Sequence, residues 1–145
     1  MNKVVLVKKL TDDVIIPQYQ HARGDSGFDL HSIESITIQP HDRALVHTGL
    51  AMAIPEGYEG CIRPRSGLAL QKGLTVLNTP GTIDANYRGE IGVILFNASN
   101  EPVDISVGDR IAQMVFQELP SIGIIPVSEL DETERGYNGF GSTGV

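Results

Sequence analysis

The sequence has few of the residues on which extracellular and zinc-dependent folds rely. Its 145 residues include one cysteine, Cys61, and no tryptophan. A lone cysteine cannot form a disulfide within the chain, which favours a reducing compartment. The four histidines show no zinc-ligand spacing with Cys61. These absences exclude a disulfide scaffold and a zinc-finger type of site.

Long hydrophobic runs and positive charge are also scarce. The N-terminal apolar run, Val4 to Val7, is far too short for a signal peptide or a membrane span. A net charge of -7 argues against broad binding to nucleic acid or anionic membranes, although not against a small anionic ligand. We therefore expect a cytoplasmic protein with no nucleic-acid partner and no membrane partner.

Turn residues, by contrast, are abundant. Sixteen glycines and eight prolines separate short apolar segments, and turn signals recur about every ten residues, the spacing of an all-β sandwich or barrel. The predicted strands are Val4 to Val7, a short strand with Phe28 and Leu30, Ile36 to Ile38, Arg43 to His47, Leu50 to Ile54, Tyr58 to Arg63, Leu74 to Leu77, Ile91 to Asn97, Val103 to Ile105, Gly108 to Phe116 and Ile122 to Val127.

One short helix is predicted between Arg63 and Gly73. Ser66 would cap its N-terminus and Gly73 would end it. The N–H groups of its first turn, together with Arg65 and Ser66, would form a phosphate cradle. A plain capped helix is the alternative interpretation.

The segment Thr79 to Gly92, TPGTIDANYRGEIG, predicts a hairpin bounded by glycine turn signals. Because alternate strand residues face opposite sides, Ile83 would point inward and Asp84 would project into a cleft, with Tyr87 across its mouth. An ordinary hairpin with an aspartate in its turn is the alternative.

Two further features carry polar chemistry. Gln113 lies among apolar neighbours on a predicted strand and needs a partner, either the backbone or a ligand. The final segment, RGYNGFGSTGV, follows an acidic connector and is rich in glycine. It is either a disordered tail or a phosphate clamp formed by Arg135, Ser142, Thr143 and backbone amides, with Phe140 as a stacking face.

Taken together, five glycine-bounded segments resemble, in order, the five motifs of the homotrimeric dUTP pyrophosphatase (dUTPase) family. They are SGFDL (Ser26 to Leu30), PRSGLAL (Pro64 to Leu70), GTIDANYRGEIG (Gly81 to Gly92), GDRIAQ (Gly108 to Gln113) and RGYNGFGSTG (Arg135 to Gly144). They span almost the whole chain, and five motifs in order are far more specific than any one alone.

The resemblance implies a jelly-roll-like β-barrel or sandwich over residues 1–134, and a flexible C-terminal arm, residues 135–145, that closes over an active site. It also implies a homotrimer with shared active sites, and hydrolysis of dUTP to dUMP and pyrophosphate with Mg²⁺. That reaction would limit uracil incorporation into DNA and supply dUMP for thymidylate synthesis. The all-β class follows from turn spacing, whereas the trimer rests on the resemblance.

The resemblance also assigns roles to residues. Asp84 would orient and deprotonate the water that attacks the α-phosphorus. Asp29 would reach Mg²⁺ through bound water at most, because this ion prefers oxygen ligands and retains waters. The residues expected to bind phosphates or the arm-covered end of the substrate are Arg65, Ser66, Gly67, Gln113, Arg135, Gly141, Ser142 and Thr143.

Selectivity is expected from shape and pairing. Tyr87 resembles the residue that packs against deoxyribose and leaves no room for a ribose 2′-hydroxyl. The backbone between Asn78 and Asn86, which includes Ile83, would pair with the uracil edge, and Asn78 would add a side-chain contact. Phe140 would stack on the base, a contact worth roughly 1 to 3 kcal/mol.

Two other functions remain open on the sequence. dCTP deaminase is similar in several motifs, but its catalytic glutamate corresponds to Ile94 here, which cannot shuttle protons. A trimeric nucleotide-binding or regulatory module that has lost catalysis is the other, and Asp84 with the complete arm argues against it.

Overall fold

The computed structural model describes residues 3–21 and 24–144. Ala22 and Arg23, and Val145 at the end of the predicted arm, lie outside the described residues. The elements are ten strands and one helix: β1 Leu6–Lys9, β2 Phe28–His31, β3 Ile36–Ile38, β4 Arg43–Ala53, β5 Tyr58–Arg63, α1 Ser66–Lys72, β6 Leu74–Val76, β7 Gly81–Ile83, β8 Glu90–Asn97, β9 Val103–Ile105 and β10 Arg110–Glu118.

Two four-stranded antiparallel sheets contribute side chains to one core. The first has the order β1-β4-β8-β6 and the second β2-β10-β5-β7, while β3 and β9 form a separate pair. Leu95 of β8 and Met114 of β10 both lie in the core, at 1% and 0% exposure. The predicted all-β, jelly-roll-like fold with one short helix is confirmed.

Strand β8 alternates between buried and half-buried residues. Ile91, Val93 and Leu95 are almost fully buried, whereas Gly92 and Ile94 between them are half-buried. The near-continuous apolar run of this strand would by itself predict burial on both faces. The difference arises because one face of β8 packs into the core and the other forms the wall of an open cavity.

Strand β4 is continuous where two strands were predicted. It runs through Gly49, with a shift in its register against β8 between His47 and Ala51. Two carboxylates stabilise this bulge: Glu34 accepts from the His47 N–H at 2.8 Å, and Glu90 accepts from the Gly49 N–H at 2.9 Å. Gly49 has a φ of 66°, so the glycine that looked like a strand end serves the bulge instead.

The segment between β7 and β8 is not a hairpin, so that prediction is wrong. β7 pairs with β5 in one sheet, and β8 pairs with β4 and β6 in the other. The chain therefore crosses from one sheet to the other through Asp84–Gly89. Turn signals alone cannot distinguish such a crossing from a hairpin, because both need a reversal of the chain.

Helix α1 begins and ends close to prediction, but its N-cap differs. The cap residue is Arg65, which has extended backbone and makes no side-chain cap hydrogen bond, while Ser66 is the first helical residue. The predicted capping role of Ser66 is therefore wrong. Gly73 ends the helix in the left-handed conformation, as predicted.

The predicted strand from Ile122 to Val127 is also wrong. Residues 119–144 contain no helix or strand, and Ile122, Ile124 and Ile125 are 76–93% exposed. The apolar pattern is present, but no strand edge of the described chain pairs with it. Among the described residues, no helix has the length and hydropathy needed to cross a membrane.

Candidate active site

The crossing after β7 brings Asp84 and Tyr87 to one cavity. A tight turn, closed by a 3.0 Å hydrogen bond from the Tyr87 N–H to the Asp84 carbonyl, places both side chains on the same side. The cavity measures about 380 Å³, and Ile83 also lines it. Asp84 and Tyr87 are exposed to solvent. The structure thus brings together in one cavity three of the predicted site residues, Ile83, Asp84 and Tyr87.

The turn that carries these residues is stabilised by its own arginine. Arg88 donates through Nη1 to the carbonyl oxygens of Ala85 and Tyr87, at 2.7 and 2.9 Å. The Tyr87 hydroxyl donates to the carbonyl of Glu90 at 2.9 Å. Tyr87 is therefore fixed both through its backbone carbonyl and through its side-chain hydroxyl.

A smaller space adjoins this cavity. It measures about 50 Å³ and is lined by Asn78 and Gly81 together with Ile83 and Ile94, two residues that also line the larger cavity. Asn78, the predicted base contact, is thus next to the Asp84 cavity. Ile94, the position that bears on the deaminase alternative, is an apolar wall residue.

The wall of the cavity also includes residues to which sequence analysis gave no role, among them Leu45 and His47 of β4 and Glu90 of β8. Leu45 lies opposite Ile94 in the pairing of β4 with β8. This pairing joins strands more than forty residues apart in the sequence, so no local pattern could identify it. The alternation of Gly92 and Ile94 on one face of β8 is the only local signal of a wall.

A second cluster centres on Asp29. Its Oδ1 accepts from Arg65 Nε at 3.0 Å, and its Oδ2 accepts from Arg110 Nη1 at 3.4 Å. Asp29 is 8% exposed, so the two guanidinium groups compensate a largely buried charge. Arg65 also donates to the Arg110 carbonyl at 3.3 Å. These contacts engage two of its five N–H donors and leave the others for an anionic ligand.

Strand β10 assembles this cluster, because it lies between β2 and β5. Gln113 is opposite Asp29 on one side and Arg63 on the other. Its side-chain N–H donates to the Pro64 carbonyl at 3.0 Å, so the polar group has a backbone partner. Ser66 and Gly67 follow Arg65 at the exposed start of α1. The structure therefore brings together Arg65, Ser66, Gly67, Gln113 and Asp29.

Two members of this cluster had no assigned role. Arg110 is marked in the sequence by its glycine turn, but its pairing with Asp29 depends on the β2–β10 register. His31 lies opposite Arg110 in that register, and its Nδ1 is buried without a hydrogen-bond partner among the described residues. Burial holds the pKa of His31 below its ordinary value. The carboxylate of Asp29 raises this pKa, whereas the positive charges of Arg110 and Arg65 lower it further.

The protein side chains offer little direct ligation to a metal ion. Among the described residues, no group of three His, Cys, Asp or Glu side chains could hold a metal. Asp29 has both carboxylate oxygens engaged by arginines. This donor set fits a Mg²⁺ ion that takes its ligands from phosphate oxygens and water, which is the usual preference of that ion in nucleotide sites.

The C-terminal arm lies apart from both clusters. Phe140 is fully exposed, and Arg135, Gly141, Ser142 and Thr143 are also exposed. Within the described chain, the hydrogen bonds of the arm are local, such as the 2.9 Å bond from Arg135 Nε to the Asn138 carbonyl. The structure does not bring these predicted residues to Asp84 or to Arg65.

The two clusters themselves lie at opposite ends of the β5–β7 pair. Ile83 is opposite Gly60, so Asp84 lies beyond that end of β7, whereas Arg65 follows the other end of β5 after Arg63. The three steps along the strand from Gly60 to Arg63 separate these ends by about 10 Å. One chain therefore does not place Asp84 beside the cluster of Arg65 and Asp29.

Another cavity, of about 500 Å³, carries none of the predicted site residues. It is lined by the N-terminal segment and by apolar residues such as Phe28, Met114 and Phe116, and Lys3 is the one charged residue among the described residues of its lining. A cavity without convergent polar groups cannot bind a triphosphate. The two polar clusters are the better candidates for the active site.

Comparison with known proteins gives one family. The dUTPase family model matches residues 12–144. A deoxyuridine 5'-triphosphate nucleotidohydrolase of Picosynechococcus sp. is 58% identical over 137 residues, covering 94% of this chain and 96% of that protein. A protein of the same description from Wolinella succinogenes is 59% identical, covering 94% of this chain and 91% of that protein.

Similar solved structures belong to the same family. The dUTPase of Staphylococcus bacteriophage 80alpha with dUPNHPP has a TM-score of 0.88 and 31% identity, covering 99% of this chain and 100% of that one. A dUTPase variant from phage phi11 of S. aureus has a TM-score of 0.81 and 26% identity, covering 89% of this chain and 99% of that one. The latter structure reveals the coordination of a structural Mg(II) ion.

Proposed function

The chain belongs to the dUTPase family and hydrolyses dUTP to dUMP and pyrophosphate, and on that premise we propose that Asp84 is its catalytic base and that its active sites form between chains. The observation that carries the proposal is the cavity that Asp84 shares with Tyr87 and Ile83. An exposed acid beside an aromatic ring, on a turn fixed by Arg88, suits an attack on a phosphate next to a sugar.

In the proposed mechanism, the carboxylate of Asp84 orients a water and accepts its proton as the water oxygen bonds to the α-phosphorus. The bond from the α-phosphorus to the oxygen that bridges to the β-phosphorus breaks, and pyrophosphate leaves with that oxygen. General base catalysis of this kind contributes about 10² to 10⁴ in rate, and positioning supplies much of the rest.

The phosphate end is assigned to the second cluster. Arg65 would bind phosphate oxygens with the N–H donors that Asp29 and the Arg110 carbonyl leave free, since a guanidinium fork matches phosphate geometry. Ser66, Gly67 and Gln113 would add contacts from α1 and β10. Mg²⁺, held by triphosphate oxygens with Asp29 acting through water, would neutralise charge that develops on the phosphates.

The nucleoside end is assigned to the first cluster. Tyr87 would pack against deoxyribose and exclude a 2′-hydroxyl. Asn78 and the backbone near Ile83 would pair with the uracil edge, in the small space that adjoins the cavity. A site that pairs with one base edge can reject another by about 10⁴ or more, because mispaired buried groups stay unsatisfied.

The arm is assigned to closure over the bound substrate. Arg135, Gly141, Ser142 and Thr143 would hold the γ-phosphate, and Phe140 would stack on the base. The full exposure of Phe140 supports this role, because a large aromatic side chain without a packing partner in its own chain is available to a ligand.

A homotrimer with shared sites would join what one chain separates. The separation of Asp84 from Arg65 and the absence of contacts from the arm to either cluster both favour this assembly. The exposed apolar side chains from Ile122 to Leu130 also favour it, because a second chain would cover them. The proposed compartment is the cytoplasm, where Cys61, whose thiol pKa is raised by burial, would stay reduced.

Product analysis tests the proposed reaction. The purified protein would be incubated with Mg²⁺ and dUTP, and separately with dCTP, dTTP and UTP, while pyrophosphate and ammonia are both measured. We expect rapid pyrophosphate release from dUTP and far slower release from the other three nucleotides. Ammonia release from dCTP would indicate a deaminase, and dUTP binding without any release would indicate a non-catalytic module.

A further inference from the structure

The ring of Tyr87 occupies the space in which Gly89 would carry a side chain. A Cβ built on Gly89 would meet the Tyr87 hydroxyl oxygen and would lie 2.5 Å from Cζ and 2.9 Å from Cε2. These three nearest atoms all belong to Tyr87, and each distance is shorter than van der Waals contact. The ring therefore lies directly against the Gly89 backbone.

The backbone itself does not require glycine at this position. Gly89 is not among the residues of positive φ, whereas glycines such as Gly49 and Gly73 are. An alanine at position 89 would be compatible with the local backbone conformation, so its cost would fall on the Tyr87 ring. A turn-forming role alone thus does not explain the residue.

The far end of the ring is fixed by Glu90. The Tyr87 hydroxyl donates to the Glu90 carbonyl at 2.9 Å, and the Glu90 carboxylate accepts from the Gly49 N–H of β4 at 2.9 Å. The acceptor of the tyrosine hydroxyl thus belongs to a residue that is bound to the neighbouring strand. The ring cannot rotate away from Gly89 without losing this hydrogen bond.

We infer that Gly89 is a positioning residue for sugar selectivity. Its missing side chain lets the Tyr87 ring lie on the backbone, and this position fixes the wall that excludes a ribose 2′-hydroxyl from the cavity. The inference rests on the proposed function, in which Tyr87 packs against deoxyribose. A side chain at position 89 would move the ring and change the space available to the sugar.

The test compares dUTP with UTP in Gly89→Ala, Tyr87→Ala and the double variant. The measured quantity is the ratio of kcat/KM for dUTP to that for UTP. We expect each single variant to lower the ratio by about tenfold or more. In the double variant, Gly89→Ala should add nothing to the effect of Tyr87→Ala, since the ring it displaces is gone. The ratio of dUTP to dCTP serves as an internal control and should change little in Gly89→Ala.

Each outcome separates the inference from the function on which it rests. If Tyr87→Ala lowers the ratio but Gly89→Ala does not, the role of Gly89 is refuted and that of Tyr87 stands. Independent, multiplicative effects would also refute it. If Tyr87→Ala leaves the ratio unchanged, the proposed role of Tyr87 fails, and the inference fails with it.

Thermal unfolding provides a second measurement if Gly89→Ala proves unstable. We then expect the double variant with Tyr87→Ala to recover the lost unfolding temperature, because removal of the ring relieves the overlap. A double variant at least as unstable as Gly89→Ala would show that the side chain strikes something other than the ring, which would overturn the inference.

Discussion

At the scale of single residues, the site divides its carboxylates between two tasks. Asp29 is nearly buried and bound by two arginines, so it orients positive groups. Asp84 is exposed at the rim of a cavity, where a water can reach it. The same residue type therefore serves structure in one cluster and, in our proposal, proton transfer in the other.

Replacement of the proposed base should separate chemistry from binding. Asp84→Asn keeps the shape of the side chain but removes its ability to accept a proton, so we expect kcat to fall by about 10² to 10⁴. Binding of a non-hydrolysable dUTP analogue, measured by calorimetry, should stay within a few fold of the unmodified protein. Near-normal turnover in the variant would rule out Asp84 as the base.

His31 should make stability depend on pH. Because its folded pKa lies below the ordinary value of 6.5, the unfolded chain takes up a proton at a higher pH than the folded one. Neutral His31 therefore contributes stability to the folded protein that is present above about pH 6.5 and is lost as the pH falls toward the folded pKa. Urea unfolding at pH 7.5 and pH 5.5, at one protein concentration, measures the free energy of unfolding at each pH. Between these two values the free energy of unfolding should fall less in His31→Gln than in the unmodified protein. An equal loss in both proteins would exclude His31 as the cause.

Sequence analysis identified many of the polar residues but few of their contacts. Five residues could be named in advance, because each is a polar or aromatic residue in an unusual local sequence: Asp29, Arg65, Gln113, Asp84 and Tyr87. Their partners depend on strand register, which local pattern does not determine. The pairing of Asp29 with Arg110, and the wall formed by Leu45, could not be found for that reason.

At the scale of elements, β8 links the core to the active site. Its buried face, with Val93 and Leu95, lies in the centre of the molecule, while Gly92 and Ile94 face the cavity. The segment before it crosses between the sheets and presents Asp84 and Tyr87. A rigid strand thus supports the exposed turn that carries the proposed chemistry.

Truncation of a core side chain in β8 should therefore be costly. Leu95→Ala removes a side chain that is 1% exposed, and we expect it to lower the free energy of unfolding by about 2 to 5 kcal/mol. Leu70→Ala on α1 is the matched control, because Leu70 is 88% exposed and should change the value by less than about 0.5 kcal/mol. Similar losses in both variants would contradict the assignment of the core.

The arm should be needed for activity but not for folding of the body. Among residues 135–144, which the structure describes, deletion from Arg135 onward removes no buried side chain, so we expect an unchanged unfolding midpoint and oligomeric state. Because the γ-phosphate and the base would lose their contacts, kcat/KM for dUTP should fall on the order of 10² or more. A truncated protein that unfolds or dissociates would show that the arm is structural.

The two elements that were predicted wrongly failed for the same physical reason. Short strands with turn residues at both ends, such as β5 and β9, were placed closely by pattern. The predicted hairpin and the predicted strand from Ile122 to Val127 failed because strand assignment needs a pairing partner as well as an apolar pattern. In both cases the pattern was present and the expected partner was not.

At the scale of the whole molecule, our proposal makes a single chain an incomplete catalyst. The acid, the phosphate cluster and the arm are all present, but the β5–β7 register places the first two at opposite ends of a strand pair. The arm contacts neither. Assembly of several chains, with each site drawing its parts from different copies, would bring the parts together.

Subunit complementation tests whether one active site takes residues from two chains. Asp84→Asn and Arg65→Ala would be produced separately and also co-expressed with different affinity tags, and the mixed oligomers would be purified through both tags in turn. Each variant alone should be nearly inactive. If a site takes Arg65 from one chain and Asp84 from another, each doubly tagged trimer keeps about one intact site in three, and dUTP hydrolysis should return to a comparable fraction of normal. Mixed oligomers with no more activity than either parent would contradict the account, because they would show that both residues must come from the same chain.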